Sequence, residues 1–309
     1  NGVVVIETLA PEKGRMRVSY SGSLNLQMPD LSSYNLANAA EKLEIEKRAG
    51  VYTDKFGHPN TQQGYDEKYE ALYKEVLRGV NTYWLDKPLR VGVGHKHSLV
   101  FEGGDDVIRY GLDFQYNNVA GVMKGSNRET ITAGFNLSYR YKFLLFQEQL
   151  SVTFNKAEES PYGTFSEYAK LNPYWRAYNE DGSINEILGT YDIANFQGTK
   201  PIYNPLVNAD INTKNQTSYT DITNNFYIEW QAFSGMKFKG RLGIISRKDE
   251  SELFYPRDHT KFKNISADSE EYFERGTYEM GNGKRFEYST DISANYSKEI
   301  KRHLIFANA

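Results

Sequence analysis

The stretch from Val107 to Tyr141 alternates strictly between apolar and polar residues on both sides of a glycine-containing segment. Its apolar positions are Ile108, Tyr110, Leu112, Phe114 and Tyr116, followed by Ile131, Ala133, Phe135, Leu137, Tyr139 and Tyr141. A period of two over so many residues is typical of β-strands with one apolar and one solvated face. The residues 117–127 between them are rich in Asn and Gly, which favour turns. The stretch therefore predicts a long antiparallel hairpin.

The same alternation recurs along much of the chain. It predicts strands at 17–28, 97–101, 150–155 and 286–296, a second hairpin at 220–247 with its turn at Ser234 and Gly235, and a further strand beginning at Leu304. Each of these segments has one apolar and one polar face. The pattern predicts about eight or nine strands.

Three segments do not alternate. Residues 29–90 predict two helices, one capped near Asn35 and one over Tyr65–Leu77, with a loop at 57–60 between them. Residues 157–217 and 248–282 are long, polar and rich in turn-forming residues. Loops of this length are uncommon in compact domains unless they are functional.

Composition excludes several classes of protein. The 309 residues include 24 Tyr and 17 Phe, which is too aromatic for a disordered chain. The formal net charge of -3 gives no electrostatic reason to bind nucleic acid. The chain has no Cys, which excludes disulfides, thiolate nucleophiles and Cys-based zinc sites. It also lacks an apolar run long enough for a transmembrane helix, whereas a barrel strand needs only about 9–11 alternating residues.

Loop lengths and strand lengths favour a membrane barrel. Some predicted connections are very short, such as 143–147 and 234–235, whereas others exceed thirty residues. Short turns on one rim and long loops on the other are typical of outer-membrane barrels, as are aromatic residues at strand ends. Strands of ten or more residues also exceed the usual length of about 5–6 in globular sheets. The alternative is a soluble β-rich module, for carbohydrate binding or adhesion, whose apolar faces pack together.

Seven short motifs follow one another along the chain: Asn1-Gly2-Val3-Val4-Val5-Ile6, Arg17-Val18-Ser19-Tyr20, Asn81-Thr82-Tyr83-Trp84, His97-Ser98-Leu99-Val100-Phe101-Glu102-Gly103-Gly104, Tyr110-Gly111, Gly121-Val122-Met123-Lys124-Gly125-Ser126 and Leu171-Asn172-Pro173-Tyr174. In type and order they resemble the motifs of SusC/RagA-type TonB-dependent outer-membrane transporters. Tyr83 departs from the family pattern, which has Asp there. Beyond Tyr174 only the strand pattern continues.

The resemblance implies part of an all-β antiparallel transmembrane barrel, of about eight or nine strands out of 22, with short helices in an insertion. Residues 1–15 would then be the C-terminal end of the plug domain, and residues 16–309 the first part of the barrel. The family imports large nutrients, glycans or peptides, through the outer membrane of Gram-negative bacteria of the Bacteroidetes type. A SusD-like surface lipoprotein closes over the mouth, and the TonB complex acts through the plug.

Candidate ligand contacts lie in the first long loop after Lys156. They combine aromatic rings with planar polar groups, which suit a sugar ring or a peptide: Tyr168, Asn172, Tyr174, Trp175, Arg176 and Tyr178. Packing of these rings within the loop is the alternative reading. Polar strand residues are expected to line the lumen, or else to form structural pairs with the plug: Arg109, Asp113, Arg140, Glu229 and Asp291.

No pattern in the sequence predicts an enzyme, a cofactor or a metal site. His95 and His97 share a strand face but have no third ligand nearby in sequence. The run from Asn179 to Glu186 departs from the spacing of calcium loops and favours a plain Asp-Gly turn. The paired carboxylates, such as Glu158-Glu159, lie in turns or loops and not on the rigid frame that glycoside hydrolysis needs.

Overall fold

The computed structural model describes residues 13–192, 199–300 and 303–309. The motif Asn1–Ile6 and most of the predicted plug segment 1–15 lie outside the described residues. Eleven strands are described: β1 Gly14–Gln27, β2 Gly92–Gly104, β3 Ile108–Ala120, β4 Asn127–Tyr141, β5 Leu144–Glu158, β6 Ile187–Asp192, β7 Thr199–Tyr203, β8 Lys214–Phe233, β9 Met236–Tyr255, β10 Thr277–Ile300 and β11 His303–Asn308.

Nine of these strands form one antiparallel sheet in the order β1-β2-β3-β4-β5-β8-β9-β10-β11. β6 and β7 pair separately. The sheet follows chain order, as in an up-and-down barrel, and does not close within the described residues. The predicted antiparallel sheet of eight or nine strands is confirmed.

The two rims of the sheet differ in the length of their connections. On one rim, strands are joined by residues 105–107, 142–143 and 234–235. On the opposite rim, the connections are residues 28–91, 121–126, 159–213 and 256–276, listed in chain order. We call these the short-turn rim and the long-loop rim.

Several strands are longer than the alternation predicted. β8 and β9 each have 20 residues and β10 has 24, so the second hairpin extends beyond the predicted limits of 220 and 247. The first hairpin also turns later, at 121–126. In these extensions both faces carry polar residues, such as the pair Lys214–Glu252 at 2.6 Å. The apolar signal stops there, but the backbone hydrogen bonds of the sheet continue.

The sheet has one mainly polar and one mainly apolar face, and the register carries each face across from strand to strand. Arg140 pairs with Leu145, Leu145 with Glu229, and Glu229 with Lys239. On the other face the large apolar side chains are solvent-exposed, and Ile292 reaches 86% exposure. Among the described residues no second sheet covers this face.

The helices begin at other residues than predicted. Helix α1 spans Ala39–Arg48, and its cap is Asn38, not Asn35. The Asn38 side chain accepts from the Glu41 backbone N–H while the Glu41 carboxylate accepts from the Asn38 N–H, so two otherwise unpaired donors are satisfied. Helix α2 spans Pro59–Leu77 and starts six residues before Tyr65, because Pro suits the first helical turn.

The buried core lies in the long loops and not beneath the sheet. Residues 28–91 and 159–213 pack together into a folded unit, which we call the loop domain; its residues 193–198 are outside the description. One cluster surrounds Trp84 and Leu206, and a second joins Leu43 of α1 to Tyr174. None of the described helices combines the length and apolar character needed to cross a bilayer.

Candidate ligand-capture site at the long-loop rim

The five side chains predicted to line a lumen lie on the same face of the sheet. Cross-strand pairing puts Arg109, Asp113 and Arg140 on the polar face, and the register continues to Glu229 and Asp291. The Glu229 carboxylate lies 2.9 Å from Lys237 Nζ and accepts from the Tyr227 hydroxyl, also at 2.9 Å. The polar face therefore carries charges that are partly paired along the wall.

Two of the predicted ligand contacts are core residues. Tyr168 is fully buried and its hydroxyl donates to the Tyr162 carbonyl at 2.9 Å; Tyr174 is 4% exposed and donates to Glu46 at 2.9 Å. Burial raises the pKa of both phenols above the usual range. Neither ring is accessible to a ligand in this conformation, because each one fills the interior of the loop domain. For these two residues the alternative of packing within the loop is the correct one.

Three further candidates join the two halves of the loop domain. The Asn172 carbonyl accepts from the Trp84 indole at 2.8 Å, and the Trp175 carbonyl accepts from the Thr82 hydroxyl at 2.6 Å. Arg176 Nε donates to Glu75 Oε2 at 2.5 Å. This hydrogen bond lowers the pKa of the Glu75 carboxyl and raises that of Arg176. These residues are partly buried, and their described contacts hold the loop together.

Tyr178 is the exposed member of the predicted set, at 44%. It starts a tight turn in which the Asp181 carboxylate accepts from the Ser183 backbone N–H at 2.9 Å and from its hydroxyl at 2.6 Å. These hydrogen bonds lower the Asp181 pKa. The predicted Asp-Gly turn is thus present, with Gly182 at φ +85°.

A cleft of about 1010 Å³ opens at the long-loop rim. It lies where the polar face meets the loop domain. The strand-end residues that line it have their side chains on the polar face. Its polar and aromatic lining includes Gln27, Glu159, Asn215, Tyr255, His259 and Lys261. The cleft therefore forms the entrance to the polar face.

One wall of this cleft is built around an aromatic pair. The rings of Tyr255 and His259 lie 4.6 Å apart, and Lys261 Nζ lies 5.3 Å from the Tyr255 centroid. Burial, followed by the Lys261 charge, lowers the pKa of His259, so the imidazole stays neutral to a lower pH than usual. His259 Nδ1 accepts from the Lys261 N–H. The wall thus offers aromatic surface, one fixed cation and a neutral imidazole.

Sequence reasoning did not identify this cleft. Its residues come from five separate segments of the chain, and the sequence pattern predicts loops at Asn215 and Tyr255. If the strands are continued past residues 220 and 247 with the same alternation of faces, Asn215 and Tyr255 both fall on the polar face. The contribution of the 256–276 loop required the tertiary structure.

No protein-family profile matches the chain. Two characterised proteins are similar to it in sequence. The chain is 22% identical over 304 residues to a TonB-dependent receptor of Formosa agariphila, covering 96% of this chain and 26% of that protein. It is 26% identical over 156 residues to the TonB-dependent receptor SusC of Bacteroides thetaiotaomicron, covering 50% of this chain and 13% of that protein. The chain thus spans about a quarter or less of these relatives.

Solved structures share the fold. The RagAB peptide importer in its closed-closed state matches with a TM-score of 0.72 at 14% identity, covering 95% of this chain and 34% of that chain. The open-open state matches with the same TM-score at 13% identity, covering 96% and 34%. The predicted resemblance is confirmed: over nearly its whole length the chain is similar to a TonB-dependent receptor, and it has the fold of part of the RagAB importer.

Proposed function

We propose that the full-length protein imports large nutrients, glycans or oligosaccharides and alternatively peptides, across the outer membrane of a Gram-negative, Bacteroidetes-like bacterium. The observation that carries the proposal is the two-faced sheet: one mainly apolar face, one mainly polar face, and long folded loops on a single rim. In a membrane barrel the apolar face contacts outer-membrane lipid and the polar face lines an aqueous lumen.

Capture begins at the long-loop rim. The cleft beside Tyr255 and His259 opens onto the polar face, and the exposed Tyr178 lies on the loop domain. Aromatic surface with a few fixed polar groups suits saccharides and peptides alike. Cargo then passes along the polar face, where Arg109, Asp113 and other charged residues contact it or the plug.

The domain division and the partners belong to the same proposal. Residues 1–15 end a plug domain and residues 16–309 begin the barrel. TonB acts on the plug to drive translocation, and a SusD-like lipoprotein covers the long-loop rim. The RagAB and SusC similarities support this arrangement.

The proposed mechanism involves binding and gated passage without covalent chemistry. Among the described residues no group of His, Asp and Glu is arranged to hold a metal ion. Glu158 is paired with Lys156, at 2.7 Å. No pair of carboxylates in the capture cleft is held on one rigid element, because Glu159 and Glu167 come from a connecting loop and a short helical turn.

Growth of a deletion strain of the parent organism tests import. The strain should lose growth on one class of oligosaccharide or peptide as sole nutrient, and the full-length gene should restore it. Tyr255→Ala should reduce restoration at limiting nutrient more than Tyr278→Ala, a control at the same rim whose side chain lies on the opposite face of the sheet. Unchanged growth of the deletion strain on every nutrient supplied would contradict the proposal.

The alternative function is a soluble β-rich module for carbohydrate binding or adhesion. Membrane fractionation separates the two. The importer requires the full-length protein in the detergent-extracted outer-membrane fraction, whereas recovery in the aqueous fraction would favour the soluble module.

A further inference from the structure

Towards the long-loop rim, lysines first appear on the apolar face at one row of cross-strand neighbours. That row consists of Phe154, Thr220, Lys248 and Lys284, on β5, β8, β9 and β10. The row immediately nearer the short-turn rim is Val152, Ile222, Ser246 and Phe286, and the row on the other side is Lys156, Ser218, Glu250 and Asn282. The row nearer the short-turn rim carries three apolar side chains and Ser246, the boundary row carries two lysines, and the row on the other side is entirely polar or charged.

This boundary has the height expected for a bilayer edge. On β10 the apolar face runs from Phe286 to Tyr296, and this length agrees with the roughly 9–11 residues that a tilted strand needs to cross the hydrocarbon. The row with Lys248 and Lys284 therefore lies at the level of the outer-leaflet headgroups. This placement rests on the proposed outer-membrane location.

Two lysines face each other at this level. Lys248 and Lys284 are direct cross-strand partners, and both are exposed. Like charges directly opposite one another destabilise a sheet. Lys248 forms an ion pair with Glu250, whereas Lys284 has no ion-pair partner among the described residues. One cationic charge therefore remains uncompensated at the edge of the apolar face.

A recess lies directly above the two lysines. It has a volume of about 430 Å³ and is lined by hydroxyl, amide and carboxylate groups, including Ser218, Asn282, Glu250 and Gln216. Lys156 forms the side of the recess and pairs with Glu158. Such a lining can hydrogen-bond a sugar.

We propose that Lys248 and Lys284 bind a phosphate group of an outer-leaflet glycolipid, whose sugar lies in the recess and whose acyl chains lie on Phe286 and Ile222. Charge complementarity places the phosphate at the lysines. The apolar rows below them suit a lipid and not a free anion, because an inorganic phosphate would gain nothing from that surface.

The test uses the full-length receptor in phosphatidylcholine nanodiscs containing a phosphorylated bacterial glycolipid or its phosphatase-treated form. Native mass spectrometry counts the retained glycolipid. The double variant Lys248→Gln/Lys284→Gln should lower affinity on the order of tenfold for the phosphorylated form alone. Lys214→Gln is the matched control: it faces the same way, nearer the long-loop rim, and is paired with Glu252.

Equal retention by the double variant and the wild type would overturn the inference, as would retention independent of the phosphate or full competition by inorganic phosphate. Nutrient import measured on the same variants separates this result from the proposed function. If the double variant imports nutrient and retains the glycolipid like the wild type, only the proposed lipid site is wrong. If the full-length receptor is absent from the outer membrane, the proposed import function is wrong as well.

Discussion

Arg176 Nε donates to Glu75 Oε2 across 2.5 Å, and this contact joins the loop after β5 to the last turns of α2. Glu75 also accepts from Arg78 on its own helix. One carboxylate thus receives a donor from within the helix and another from a residue 101 positions away. The loop domain is held together by such contacts between its two chain segments, in addition to its apolar clusters.

Removing the contact between segments should loosen the loop domain without unfolding the sheet. We expect Arg176→Ala to raise the rate of limited proteolysis within residues 159–213 a few-fold. Arg78→Ala is the matched control, because it removes the donor that stays within α2. Equal sensitivity of the two variants would mean that the contact between segments does not stabilise the loop domain.

The same contact predicts a dependence on pH. The folded pKa of Glu75 lies below its ordinary value, so the unfolded state binds the proton more tightly. The stabilising contribution is therefore complete above the ordinary Glu pKa and is lost as the pH falls through the lowered, folded value. Hydrogen exchange of the 159–213 amides should accelerate, relative to its intrinsic rate, in that acidic window.

Glu75→Gln should flatten this pH profile, because the amide does not titrate. A wild-type profile that is already flat across the acidic window would contradict the assignment to Glu75.

Truncation of a buried tyrosine in this loop should destabilise the loop domain far more than truncation of an exposed one. Tyr168→Ala removes a fully buried ring and should lower the free energy of local unfolding of the loop domain by about 3–5 kcal/mol. Tyr168→Phe loses only the hydrogen bond to Tyr162, about 1 kcal/mol. Tyr178→Ala, at an exposed site, should change it by about 0.5 kcal/mol or less.

Hydrogen exchange of the loop-domain amides in the full-length receptor measures these free energies. An effect of Tyr178→Ala as large as that of Tyr168→Ala would be inconsistent with the observed burial.

The two faces of β10 can be mapped directly, because the chain has no Cys. Single Cys substitutions from 286 to 295 in the full-length receptor should alternate with a period of two. The odd positions, such as Asp291, should react with a charged maleimide that enters the lumen, and the even positions, such as Ile292, should be reached by a lipid-phase probe. Reaction of both sets with the same reagent would contradict the two-faced wall.

The alternation of residues by itself predicts the main sheet. Strict period-two patterns such as 108–116 predict where the strands lie and which side chains share a face, because successive side chains of a strand point to opposite faces. Arg109, Asp113, Arg140, Glu229 and Asp291 were placed on one face for that reason. Strand ends were less predictable, since outside the apolar zone both faces are polar and the pattern disappears.

The loop domain was decided by tertiary structure. Aromatic residues near 162–178 indicate either capture or packing, because the same ring can bind a sugar or fill a core. Only the packing of residues 28–91 against 159–213 buries Tyr168 and Tyr174 while leaving Tyr178 exposed. Likewise, the cleft at Tyr255 and His259 joins distant segments, and no local pattern encodes that meeting. Local periodicity therefore determined the wall, whereas contacts between distant loops decided where its entrance lies.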